Sequence, residues 1–107
     1  MTEKFEEDIE IPKWDVALEA LVKEEYTKTG SALQIDDFKQ LAVEYQIRFD
    51  DIMETMFEMC IDGQWIYEDE DHNQVEITRQ TLDNLYVNAR LQEEDLWEFN
   101  GYWHPAG

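Results

Sequence analysis

Apolar residues recur at helical spacing in the first half of this chain, and the pattern predicts three helices. Steps of three and four residues predict a first helix that begins near Pro12 and is ended by Gly30. Two shorter stripes with the same step predict a second helix over 36–45 and a third over 50–62, with Gln46 and Ile47 between them. The two short helices are separated by so few residues that their connection must be tight.

Alternating apolar and polar residues predict short strands on either side of this helix pair. Residues 33–35 suit a brief strand before the second helix. Segments 64–68 and 75–77 predict a two-stranded ribbon whose connection, 69–74, is polar. A last apolar stripe predicts a fourth helix that carries Leu82, Leu85, Tyr86 and Ala89.

The two ends of the chain differ from the middle. Residues 1–11 are rich in Glu and Asp, and we expect a frayed or extended arm there. Residues 93–107 are acidic and aromatic, and Asn100-Gly101 predicts a β-hairpin, because both central residues of such a turn need a positive φ. We therefore divide the chain into an acidic arm at 1–11, a domain at 12–92, and a hairpin or tail at 93–107 packed on the domain.

The C-terminal segment carries an aromatic cluster with two interpretations. It contains Trp97, Phe99, Tyr102 and Trp103. These side chains could cover the core, or they could anchor a partner or a second copy of the chain, since Trp and Tyr dominate interface hot spots. Both roles are compatible in a homodimer. Core packing is slightly favoured, because exposing so many aromatic side chains would promote aggregation.

The order helix, short strand, helix, helix, ribbon, helix resembles the winged helix-turn-helix architecture. The residues that carry the resemblance are Leu41-Ala42, Ile47, Ile52, Met56, Met59, the segment Asp62-Gly63-Gln64-Trp65-Ile66 and the segment Val75-Glu76-Ile77-Thr78. The resemblance implies an α+β, mostly helical fold with an extra C-terminal β-hairpin. It also implies that the third helix is the one that would enter a DNA groove.

The charge of the chain opposes that role. The 107 residues include 27 acidic and 8 basic ones, a formal net charge of −19, yet 43% are hydrophobic and 13% aromatic, which indicates a folded domain rather than a disordered acidic tail. A DNA reader needs Arg or Lys on phosphates, whereas the outward face of the third helix and the ribbon tip carry carboxylates. Direct binding to nucleic acid or anionic lipid is therefore not expected.

The inverse interpretation is a protein that imitates DNA. Carboxylates at helical steps lie about 5–6 Å apart, which is comparable with the separation of backbone phosphates. The predicted acidic ridge consists of Asp51, Glu54, Glu58, Asp62, Glu68, Asp69, Glu70 and Asp71. A basic partner outside the nucleic-acid-binding class fits the ridge equally well. A solvated surface that serves solubility, or adaptation to salt, remains the plainer alternative.

The sequence lacks the residue patterns that indicate a disulfide, a metal site or an enzyme active site. The single Cys60 lies on the apolar face of the third helix, so it is expected to be a buried hydrophobe, and it excludes an intramolecular disulfide. The loop near Asp69 fails the EF-hand pattern, because Gln74 and Gln80 occupy the Gly and Glu positions. We expect no enzyme, no cofactor and no metal site. No apolar run suits a membrane span or a secretory signal, which predicts a cytoplasmic protein.

These observations predict a small acidic protein-binding module that occupies basic surfaces of a partner. Imitation of DNA, which would inhibit or regulate a nucleic-acid-binding protein, is the most specific form of this hypothesis. The alternative is an adaptor or structural protein on a winged-helix scaffold that binds through apolar or aromatic surface.

Overall fold

A computed structural model describes the backbone of residues 5–106 and the side chains of residues 16–106. Helix accounts for 57% of the chain, and the rest includes a small antiparallel sheet, so the α+β, mostly helical class is confirmed. The helices of the described part are α1 (Phe5–Thr29), α2 (Ile35–Tyr45), α3 (Phe49–Ile61), α4 (Arg79–Leu85) and α5 (Glu93–Leu96). Its strands are β1 (Trp65–Glu68), β2 (Gln74–Val75), β3 (Tyr86–Val87), β4 (Arg90–Leu91) and β5 (Tyr102–Pro105).

The first helix is longer than predicted. It starts at Phe5, so Pro12 lies within it, and the prediction of an extended arm is wrong from Phe5 onward. A proline inside a helix removes one backbone donor and costs about 3 kcal/mol or more, whereas the acidic residues that precede it favour a helix N-terminus. The arm's first four residues lie outside the described part. Gly30 ends the helix with a φ of +74°, as predicted.

The connection between α2 and α3 is tight and has a clear backbone cause. Gln46 adopts a left-handed conformation with a φ of 57°, which ends α2. The amide of Ile47 then donates to the carbonyl of Ala42 at 2.9 Å, and the Ile47 side chain packs against the core as expected. The two helices begin slightly earlier than predicted.

The sheet has the order β2-β1-β5, and the predicted ribbon forms its first pair. The brief strand expected at 33–35 is reduced to one antiparallel bridge between Leu33 and Trp103, with two hydrogen bonds of 2.8 and 2.9 Å. Leu33 therefore pairs with a residue of β5 and not with the ribbon formed by β1 and β2. The C-terminal strand therefore joins the segment between α1 and α2 to β1.

The prediction of a C-terminal hairpin is wrong. Trp97–Phe99 forms a 3-10 turn after α5, and β5 pairs with β1 instead of folding back on the residues before it. Asn100 has a φ of −89°, so the expected turn does not form. Gly101 has a different reason to be glycine, because a Cβ there would lie 2.0 Å from the carbonyl oxygen of Glu68. The backbones of β1 and the residue before β5 approach too closely for any side chain.

The predicted fourth helix is also shorter than expected. It ends at Leu85, and β3 and β4 follow as a two-residue hairpin with Tyr86 opposite Leu91. Asn88 and Ala89 at its tip have φ values of 55° and 67°. Both positive angles suit a type I′ turn, which the twist of a hairpin favours. Tyr86 and Ala89 therefore do not extend a helical stripe.

The core lies between the helices and the inner face of the sheet. Trp103 is fully buried, and its ring meets Phe38, Phe57 and Tyr67 at centroid distances of 6.0, 5.5 and 4.6 Å. Buried side chains of α3 complete this layer: Ile52, Met53, Met56, Phe57 and Met59. The central position of α3 limits how much of its surface can face a partner.

Candidate functional site

The predicted acidic ridge divides into two groups in the structure. The carboxylates at 51–62 face α1, whereas those of 68–71 lie at the last residue of β1 and in the connection that follows it. β1 follows α3 directly and spans four residues, at a rise of about 3.3 Å per residue. The two groups therefore need separate descriptions.

A groove between α1 and α3 collects the first group. It encloses about 270 Å³, and Leu18 and the buried Thr55 also line it. The carboxylates that line it are Glu19 from α1, Asp51, Glu54 and Glu58 from α3, and Asp62, which follows the last residue of α3. The α3 residues share one side because they recur at steps of three and four. Sequence reasoning missed Glu19, since no pattern within α1 indicates which of its many acidic residues faces α3.

Two carboxylates of the groove are engaged by other parts of the chain. The hydroxyl of Tyr86 donates to Glu54 at 2.6 Å, and Arg79 donates to Glu58 at 3.2 and 3.4 Å. Burial, and then the hydrogen bond to Glu54, raise the pKa of Tyr86, while Glu58 raises the pKa of Arg79. These bonds hold α4 and β3 against α3. Glu54 and Glu58 are therefore partly structural.

Two others stay available at the groove. Asp51 is half-buried and Asp62 is exposed, and neither side chain makes an ion pair or hydrogen bond with any side chain in residues 16–106. Thr55 donates to the carbonyl of Asp51 at 3.1 Å, so it satisfies its hydroxyl within its own helix. With respect to the side chains of residues 16–106, the groove therefore presents unpaired carboxylates near both ends of α3.

The second group forms the connection at 69–73, which we call the acidic loop. The carboxylate of Asp69 accepts from the amides of Asp71 and Asn73, both at 2.9 Å, and so folds the loop on itself. The Glu70 and Asp71 side chains are exposed. The half-buried Glu68 accepts from two histidines, and the first of these bonds, from His104, does most to lower its pKa.

The four predicted aromatic anchors have different surroundings. Trp103 lies in the core, and Phe99 packs edge-on against Phe57 at 5.0 Å, so both support the core-packing interpretation. Tyr102 is half-buried on β5. Trp97 is exposed to 37%, and its ring lies 5.9 Å from the ammonium of Lys39. Of these four, Trp97 offers the most surface to a partner.

The basic side chains that the structure describes are mostly committed to nearby carboxylates. The carboxylate of Asp50 forms ion pairs with Arg48, at 3.3 Å, and with Arg90, at 2.9 Å. Further pairs are Lys28 with Glu25, Lys39 with Glu93, and Arg79 with Glu58. Apart from Arg79, none of these cations reaches the groove. Among the described side chains, the groove carboxylates Asp51 and Asp62 are therefore left without a basic partner.

No protein-family model matches this chain, and neither the curated proteins nor the solved structures compared with it are similar. The site is therefore interpreted from its own residues. Among the described residues, no group of three or more His, Cys, Asp or Glu side chains is arranged to hold a metal ion. No helix in the same residues has the length and apolar character needed to cross a membrane.

Proposed function

We propose that this protein binds a basic surface of a partner protein, and that it does so by presenting carboxylates where DNA would present phosphates. The observation that carries the proposal is the groove between α1 and α3, in which carboxylates from two helices face one opening. Asp51 and Asp62 remain without a cation from the described side chains. A partner's lysine or arginine side chains would supply the missing positive charge.

The charge distribution makes a nucleic acid the wrong partner. Phosphate contacts by basic side chains supply most non-specific affinity for DNA and RNA. Here the described basic residues pair mainly with carboxylates of the same chain, and the formal net charge is −19. Protein partners that themselves bind nucleic acid have the basic surfaces that this charge fits. Occupying such a surface would inhibit or regulate the partner.

We further propose that the scaffold is a variant of the winged-helix layout. Support comes from the tight α2–α3 connection at Gln46 and from the ribbon that follows α3. This fold differs from the predicted winged-helix layout because β5 pairs with β1 and forms the bridge to Leu33. In this arrangement α3 is packed between α1 and α4, so the groove, and not an isolated helix face, would be the binding surface.

The experiment that tests this function compares two variants with equal loss of charge. The ridge variant replaces carboxylates without structural partners: Asp51→Asn, Asp62→Asn, Glu70→Gln and Asp71→Asn. The matched control variant replaces exposed carboxylates elsewhere: Glu24→Gln, Glu44→Gln, Glu94→Gln and Glu98→Gln. Glu54, Glu58 and Asp69 stay unchanged, because their bonds hold the fold together. Circular dichroism is used to check that both variants are folded.

Each protein is immobilised and exposed to the same native lysate, and the retained proteins are eluted by stepwise salt. We expect the wild type and the control variant to retain basic nucleic-acid-binding proteins that elute as salt rises, since exposed charge pairs are screened. The ridge variant should lose them. Equal retention by the ridge variant would contradict the proposal. A partner that survives high salt would favour an adaptor that binds through apolar surface, beginning with Trp97.

A further inference from the structure

Both histidines of the chain contact the same carboxylate. Nδ1 of His72 lies 3.4 Å from one oxygen of Glu68, and Nε2 of His104 lies 3.2 Å from the other. The three residues come from the acidic loop, from β5 and from the end of β1. The chain contains two histidines in all, so their meeting at one carboxylate defines a specific cluster.

This cluster closes the base of the acidic loop. The amide of Asp69 donates to the carbonyl of Asn73, and that of His72 donates to the carbonyl of Asp69, both at 2.9 Å. The His72 ring also stacks on Tyr102, with centroids 4.3 Å apart and planes at 9°. Tyr102 is the strand partner of Glu68. The loop therefore contacts β5 through His72 and β1 through Glu68.

The strength of these contacts depends on the charge of the imidazoles. A neutral imidazole has one N–H donor, whereas a protonated one has two and carries a positive charge. Charge-assisted hydrogen bonds are roughly twice as strong as neutral ones. The hydrogen bonds from His104 and then His72 lower the pKa of Glu68, so its carboxylate stays charged in mildly acidic solution. Imidazole in model peptides becomes charged near pH 6.5, well above carboxyl groups near pH 4.

The other titratable groups on the packed elements belong to classes whose ordinary pKa values lie outside the range of imidazole. The loop and the residue after β2 contribute carboxyl groups, and the two strands contribute phenols, which titrate near pH 10 in model peptides. The strand partner of Glu68 on β2, Gln74, is neutral. The groups concerned are Asp69, Glu70, Asp71, Glu76, Tyr67 and Tyr102. Imidazole is the side chain whose ordinary pKa lies between about pH 5 and 8, which distinguishes the two histidines from the carboxyl groups and phenols around them.

We propose that Glu68, His72 and His104 form a pH-dependent latch that holds the acidic loop against the sheet when the imidazoles are protonated. Mild acid closes the latch, and neutral to alkaline solution weakens it. The device concerns the conformation of the free protein, so it goes beyond the proposed function and stands whether or not the ridge binds a partner.

Amide hydrogen exchange of Asp69 tests the latch, because that amide closes the loop by bonding to Asn73. Protection factors, which correct for the intrinsic effect of pH, are compared at about pH 5.5 and pH 8. We expect protection of the wild type to be about two- to tenfold higher in acid, since two partly exposed charged pairs strengthen there. Glu68→Gln should abolish the difference, because it removes both pairs, and His104→Gln should reduce it. Glu70→Gln removes a charge from the same loop without touching an imidazole, and it should keep the difference.

Two results would overturn the latch. One is equal protection of the wild type at both pH values, and the other is an undiminished difference in Glu68→Gln. If His104→Gln fails to fold, His72→Gln provides the same test, because the His72 side chain is 64% exposed and contributes little to the core. A full difference in that folded variant would remove His72 from the latch and contradict the proposal as stated.

Discussion

Gly101→Ala should destabilise the protein strongly, although it adds one methyl group. The Cβ would lie 2.0 Å from the carbonyl oxygen of Glu68 and 2.8 Å from two backbone atoms of Asp69. Cβ contacts under 3.0 Å essentially do not occur, so the two backbone segments must separate by about 1 Å or more. The atoms in conflict belong to the main chain, and a change of side-chain rotamer cannot relieve the contact.

The expected loss in the free energy of unfolding has two contributions. Overpacking of a close-packed site costs about 1–3 kcal/mol. The separation also breaks the hydrogen bond of 3.0 Å from the Gly101 amide to the Tyr67 hydroxyl, which contributes about 0.5–1.5 kcal/mol. Together they predict a loss of roughly 2–4 kcal/mol, or a fall in Tm of roughly 10–30 °C for a domain of this size.

Urea unfolding followed by tryptophan fluorescence measures this loss directly. Gly63→Ala is the matched control, because Gly63 has a φ of +82° but no atom within 4 Å of the added Cβ. It should lose about 1–2 kcal/mol from backbone strain alone. If Gly101→Ala lost less than the control, the close approach of β1 to Gly101 would be wrong.

Three other predictions test separate parts of the fold. Ala89→Gly should stabilise the protein by about 0.5–1 kcal/mol in urea unfolding, because it relieves the positive φ at the hairpin tip; a loss would contradict the type I′ turn. Trp103→Ala should cost about 3–5 kcal/mol, whereas Trp97→Ala should cost less than about 1 kcal/mol, and similar losses would contradict their different burial. Burial raises the pKa of Cys60 to about 12, so at pH 8 about one thiol in ten thousand is ionised. Alkylation of Cys60, followed by mass spectrometry, should therefore be slow until the protein unfolds. Rapid labelling of the folded protein would refute this.

The parts of the fold that local patterns predicted correctly are those whose own residues determine them. The stripe of α3 is followed by Gly63, and the strands next to it alternate, so these elements were predicted at nearly their observed positions. The hairpin of β3 and β4 was missed, because Leu82, Leu85 and Ala89 also fit a helical step. Asn88-Ala89 lacks the glycine that usually marks such a turn.

The C-terminal error and the divided ridge have a common physical origin in long-range contacts. The sequence favours a turn at Gly101, whereas in the structure a glycine is required there because the backbone passes close to the carbonyl oxygen of Glu68, thirty-odd positions away in the sequence. In the same way, sequence indicated which residues of α3 are acidic but not that Tyr86 and Arg79 engage two of them. Tertiary neighbours decide which carboxylates remain available.

The salt dependence of partner affinity tests the central claim most directly. A partner retained by the immobilised wild type is titrated against the wild type, the ridge variant and the control variant at several salt concentrations. The account predicts that log Kd rises steeply with log salt for the wild type and the control, and that the ridge variant binds more weakly with a shallower slope. The same affinity and slope for all three proteins would contradict a binding surface made of Asp51, Asp62 and the acidic loop.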